Sequence, residues 1–150
     1  MMKAYGVKNP KIENQKSIIR KLKKLSMDTC HLLILKSTAY AEYIKAGIPE
    51  GEIYDARGRF IQYKKTDTSC NAGLFSYIEE LDRSKVYAFD SNKTAKRELR
   101  KFLRLNGDTV TTDFLKPADF YVFVSWAAWI GRLNKDHVRD WEILAKKNPN

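Results

Sequence analysis

The run Phe120-Tyr121-Val122-Phe123-Val124, followed by Ser125 and then by Trp126-Ala127-Ala128-Trp129-Ile130-Gly131-Arg132-Leu133, is the stretch on which the reading of this chain turns. Phe, Tyr and Val in an unbroken run predict a buried strand, because these side chains fit a pleated surface covered on both faces. Beyond the glycine, Leu133, Val138, Trp141, Leu144 and Ala145 recur at helical spacing as far as Lys147. The stretch therefore reads as a strand, a tight turn and an amphipathic helix.

That layout resembles the active-site element of the thioredoxin family, in which a strand ends in Trp-Ala-x-Trp-Cys-Gly-Pro-Cys and the second cysteine lies in the first turn of a long helix. Trp126, Ala127, Trp129 and Gly131 match the family pattern at fixed offsets, while Ile130 and Leu133 occupy the two cysteine positions and Arg132 stands where the proline would be. Thiol exchange needs an ionised first cysteine to attack a disulfide and a second to resolve the mixed disulfide. Neither Ile130 nor Leu133 can do this. The resemblance thus implies an element that keeps its scaffold and has lost its redox chemistry.

A second stretch carries the same resemblance. Ile48-Pro49 leads into two short β-rich runs on either side of Asp55-Ala56-Arg57-Gly58, where Gly58 can supply a positive φ, and this predicts a hairpin. Before it, Ser37 is a candidate cap for a short helix through Tyr40, Tyr43 and Ile44 that ends at Gly47. After it, Leu74, Phe75, Ile78 and Leu81 form one face of a further helix. Strand, short helix, Ile-Pro, strand, turn, strand, helix is the order of the second half of the thioredoxin fold. The resemblance implies a cis proline at Pro49, packed beside the Trp129–Leu133 turn. Here, however, the Trp-Ala-x-Trp element follows the Ile-Pro hairpin instead of preceding it. Three arrangements answer to that order: a circularly permuted single domain, a homodimer that completes two half-folds by strand exchange, and a piece of a longer protein. The expectation is one thioredoxin-like α/β domain over residues 1–150, a mixed sheet flanked by helices, permuted or incomplete, with residues 82–119 as a connecting region without a family counterpart.

The remaining segments read less sharply. Ile18, Ile19, Leu22 and Leu25 form the apolar face of an amphipathic helix whose other face carries Lys16, Arg20, Lys21, Lys23 and Lys24. His31-Leu32-Leu33-Ile34-Leu35 reads as a buried strand. In the connecting region, Val86–Phe89 predicts a short strand, Asp90-Ser91-Asn92 a cap for a basic helix through Leu99, Phe102 and Leu103 that stops at Asn106-Gly107, and Thr109–Thr112 another strand.

With 150 residues and a formal net charge of +10, the chain is of single-domain size and strongly basic. The excess, concentrated in Lys16–Lys24 and Lys93–Arg104, would attract nucleic acid, anionic lipid or acidic protein surfaces without specifying one of them. Met1–Lys11 has no long apolar run, so the expectation is a cytoplasmic protein, or a secreted or periplasmic one if a leader has been lost. Cys30 and Cys70 lack metal-ligand spacing with His31 or His137, and two cysteines make no disulfide framework in a chain of this size. Cys30 reads as a small buried residue; Cys70, among Thr68, Ser69 and Asn71, reads as more exposed. Ser125, His137 and Asp140 are residue types of a catalytic triad, but no strained Gly-x-Ser-x-Gly turn surrounds Ser125. There is no phosphate-binding glycine loop, and neither a metal nor an organic cofactor is implied.

The reading that follows is a redox-inactive thioredoxin-like protein that binds a protein or peptide segment, leaning away from catalysis. Its binding residues are Trp129, Ile130, Gly131, Arg132 and Leu133 together with Pro49, an apolar spot edged by positive charge. A basic nucleic-acid-associated protein is the alternative, and a redox protein using Cys70 a weaker one.

Overall fold

A hairpin forms the centre of the molecule. In the computed structural model, which describes residues 14–24, 29–47, 50–64, 74–127, 129, 143 and 147, strand β2 (Glu50–Asp55) turns at Ala56-Arg57 into β3 (Arg59–Ile61). Gly58 adopts φ 75°, which lets the turn close with its N–H donating to the Asp55 carbonyl at 2.8 Å. The Asp55 carboxylate accepts from the Arg57 and Arg59 amides and pairs with the Arg59 guanidinium, so the turn is held by its own side chain. The hairpin expected from the sequence is present.

The other elements, in chain order, are α1 (Gln15–Lys24), β1 (Ile34–Leu35), a 3-10 turn (Ser37–Ala39) running into α2 (Tyr40–Ala46), and, after the hairpin, α3 (Leu74–Glu79), β4 (Phe89–Thr94), α4 (Ala95–Leu99), β5 (Phe102–Leu103), a 3-10 turn (Thr112–Phe114) and β6 (Phe120–Ser125). The main sheet has the order β4-β3-β2-β6, and β1 pairs with β5 in a small second sheet. Mixed α/β architecture is thus the observed class. Every strand pairing among the described residues is antiparallel, so the expected mixed sheet has no parallel pair there.

The sheet has two differently covered faces. Ile53, Ile61 and Leu74 are fully buried on one side, with Tyr63, Tyr77, Ile78, Leu81, Tyr87, Phe89 and Phe120 packed around them. On the other side the Tyr54 ring meets Phe60 and Phe123, with centroids 5.7 and 5.0 Å apart. Period-two alternation along β2 produces this split, sending Ile53 to one side and Glu52 and Tyr54 to the other.

Several expectations need correction. β6 is present, but it is half-buried and Val122 is 36% exposed, because among the described residues it pairs with β2 alone. The buried strand expected over His31–Leu35 shrinks to two residues of intermediate burial. Ser37 does not cap α2, whose cap position is Ala39, but begins the 3-10 turn. Residues 82–119 are not a mere connection, since they supply β4 to the main sheet and β5 to the small one. Val86 is 98% exposed, and the strand begins at Phe89, where pairing with Ile61 becomes available. Asp90, Ser91 and Asn92 lie inside that strand, and the true cap of α4 is Thr94, whose Oγ1 accepts from the Arg97 amide at 3.2 Å. The basic helix ends at Leu99, so Phe102 and Leu103 form a strand. In place of a strand at Thr109–Thr112 there is one isolated bridge, Leu103 to Thr109, followed by the 3-10 turn. Cys30 is exposed. α1 and Gly47 at φ 96° match the sequence reading.

Candidate functional site

Of the residues expected to bind, only Trp129 is described, half-buried just beyond β6; Ile130, Gly131, Arg132, Leu133 and Pro49 lie outside the described residues, as do Cys70, His137 and Asp140. What the strands do fix is the neighbourhood of the two motifs. β2 and β6 run antiparallel in continuous register from Asp55 opposite Phe120 to Glu50 opposite Ser125. The Glu50 amide donates to Ser125 Oγ at 3.0 Å, and that hydroxyl donates back to the Glu50 carbonyl at 3.3 Å. Ser125 therefore closes the strand pair. The residue after Pro49 and the residue before Trp126 are cross-strand partners, although about 75 positions separate them in the chain.

Beside this end of the sheet lies a cleft of about 470 Å³ that sequence reasoning missed. Its floor is the Tyr54 side of β2 and β6, contributing Glu50, Glu52 and Phe123; α2 contributes Glu42, Tyr43 and Ala46; β4, α4 and β5 contribute Asn92, Lys93, Arg97, Glu98, Arg100, Lys101 and Phe102.

In its lining, Glu98 is 6% exposed and held by two donors. The Tyr43 hydroxyl donates to its Oε1, and the Lys101 ammonium donates to its Oε2 at 2.7 Å while also reaching Glu42 at 2.7 Å. Tyr43 in turn packs edge-on against Phe102. Burial and then the Glu98 carboxylate push the Tyr43 hydroxyl far above its ordinary value, so it remains a donor throughout the working pH range. Burial alone would lower the Lys101 ammonium, but its two carboxylate bonds outweigh that and raise it.

Glu52 is less well satisfied. Its Oε2 accepts from the Tyr54 hydroxyl at 2.7 Å, whereas the Lys93 ammonium stands 3.9 Å from Oε1, beyond hydrogen-bond length. Burial raises its carboxyl, the Glu98 charge raises it further, and the Tyr54 bond and the Lys93 and Lys101 charges offset only part of this. One signal in the sequence could have pointed here: Glu98 lies three after Ala95 and one before Leu99, on the buried face of α4.

The two basic runs behave differently. In the second, Lys93, Lys101 and Arg104 are engaged with Glu52, Glu42, Glu98 and Asp113, which neutralises part of the charge internally. In the first, Lys16, Arg20, Lys21, Lys23 and Lys24 are all exposed around buried Leu22. No group of His, Cys, Asp and Glu suited to a metal ion occurs among the described residues, and no described helix is long and apolar enough to cross a membrane. No family model, curated protein or solved structure matches this chain.

Proposed function

We propose that this chain is a thioredoxin-like domain without redox thiols that binds a protein or peptide segment at the Trp129–Leu133 turn beside Pro49. One observation carries the reading: Glu50 and Ser125 are cross-strand partners. In a chain where the Ile-Pro and Trp-Ala-x-Trp motifs are far apart in sequence, that register brings their flanking residues to the same end of one strand pair. It is the juxtaposition the thioredoxin family uses to present substrate. With Ile130 and Leu133 at the thiol positions, such a surface offers apolar contact and no exchange chemistry.

Selection of a random peptide library on the immobilised protein, followed by fluorescence polarisation, tests this. Selected peptides should lose about tenfold or more in affinity with Trp129→Ala or Leu133→Glu, since central aromatic and apolar anchors carry most binding energy. Their affinity should change little with salt. Selected binders indifferent to both substitutions would defeat the reading.

The exposed basic face of α1 favours a second reading, association with nucleic acid. Phosphate contacts release counterions, so that binding would fall steeply with salt and weaken when Lys21, Lys23 and Lys24 are replaced by Gln.

A further inference from the structure

We infer that the cleft between α2, α4 and the β2–β6 floor binds a zwitterionic amino acid or dipeptide with a large apolar side chain. Its volume, about 470 Å³, is that of a small-molecule site and exceeds what a bound water or ion needs. Three features of the lining converge on the ligand's chemistry.

First, Glu52 presents a largely buried carboxylate, its side chain 18% exposed, with Oε1 lacking a hydrogen-bond donor among the described residues. The Lys93 ammonium stands 3.9 Å from it, so a ligand ammonium with three N–H donors would supply the hydrogen bond that this ion pair does not make. Second, the lining also carries guanidinium groups with unused donors. Arg97 spends one nitrogen on the Asn92 carbonyl at 2.7 Å, and Arg100 makes no side-chain hydrogen bond or ion pair among the described residues. A planar fork of this kind favours a carboxylate bound through two parallel bonds. Third, Ala46, Phe102 and Phe123 contribute apolar surface to the lining.

A simple cation would bond Glu52 and meet repulsion from Lys93 and the arginines; a simple anion would bond the arginines and meet repulsion from Glu52. A molecule carrying both charges near an apolar group satisfies all three features. The inference is independent of the peptide-binding turn, because it uses none of residues 129–133.

Isothermal titration of the full chain with L-leucine, L-phenylalanine and leucyl-phenylalanine tests it, together with the N-acetyl and C-terminal amide forms of whichever binds. At least one zwitterion should bind, and blocking either end should weaken it by about tenfold or more, the loss expected for a charge-assisted hydrogen bond. A free amino acid and a dipeptide differ in the span between their charges, so the arm that binds identifies the source. Glu52→Gln and the double substitution Arg97→Gln with Arg100→Gln should each weaken binding by a similar factor while circular dichroism stays unchanged. The arginine pair is exposed, so it remains decisive if Glu52→Gln fails to fold. No binding by any of the three zwitterions, equal binding of the blocked forms, or full affinity in the folded variants would overturn the assignment.

Discussion

A carboxylate inside a small core must be held by donors, and Glu98 is held by Tyr43 and Lys101. Replacing it by Ala leaves the Tyr43 hydroxyl without its acceptor and Lys101 with Glu42 alone, which should cost about 3 kcal/mol in urea unfolding, the lower end for a broken buried pair because Lys101 keeps that partner and is partly exposed. Glu52 should act differently. Its carboxyl is raised in the folded state by burial and then by the Glu98 charge, so between its unfolded and folded values the native protein binds more protons than the unfolded chain. Its contribution is therefore fully present below the unfolded value and is lost as pH rises through the folded one. Glu52→Gln removes that loss, and the stability of the variant relative to the parent should climb from acidic to neutral pH. Urea midpoints at several pH values check this, and a flat or falling difference would contradict it. At this scale the sequence was only partly legible: Asp55-Ala56-Arg57-Gly58 announced its turn because the residues that build it are consecutive. Glu98 announced only its face, through its spacing from Ala95 and Leu99; that it is held by Tyr43 of α2 follows from a packing no local pattern records.

α1 and the β2–β3 hairpin follow from periodicity and turn chemistry. The polar strand β4, Phe-Asp-Ser-Asn-Lys-Thr, is a strand because β3 offers it an edge, and its sequence alone reads as a cap. Likewise Phe102 and Leu103 continue the helical spacing of Leu99, yet they pair with Leu35 and Ile34 instead. Two predictions belong here. Thr94→Ala removes the cap of α4 and should destabilise by about 1 kcal/mol, read from the thermal midpoint. Ile53 and Val122 are cross-strand partners, but Ile53 is fully buried and Val122 is 36% exposed. Ile53→Ala should cost roughly 2–5 kcal/mol and Val122→Ala well under half of that, by denaturant titration.

For the whole molecule, the thioredoxin reading makes a geometric prediction for residues 130–133. If they have thioredoxin geometry, Ile130→Cys with Leu133→Cys, in a Cys30→Ser and Cys70→Ser background, should form an intramolecular disulfide under mild oxidation, because bridging needs Cα atoms within about 4.4–6.8 Å. Thiol titration and non-reducing electrophoresis report the outcome. Two free thiols, or cross-links only between chains, would remove the family resemblance from this turn. The α/β class was legible from the alternation of strand-like and helix-like segments. The strand order and the cleft were not, since both arise from pairings between distant segments that no local pattern records.

The β2–β6 pairing also sets the tempo at which the chain can fold. The hairpin closes over a few residues, whereas joining Glu50 to Ser125 requires closing a loop of about 75 residues, and such non-local contacts slow folding. Until β6 arrives, β2 presents an open edge of unpaired amides and carbonyls, the template on which strands of other molecules add. Newly made chains would thus be most prone to aggregate in the interval between hairpin formation and the docking of β6, and substitutions in β6 would affect yield through that interval as much as through the stability of the finished fold.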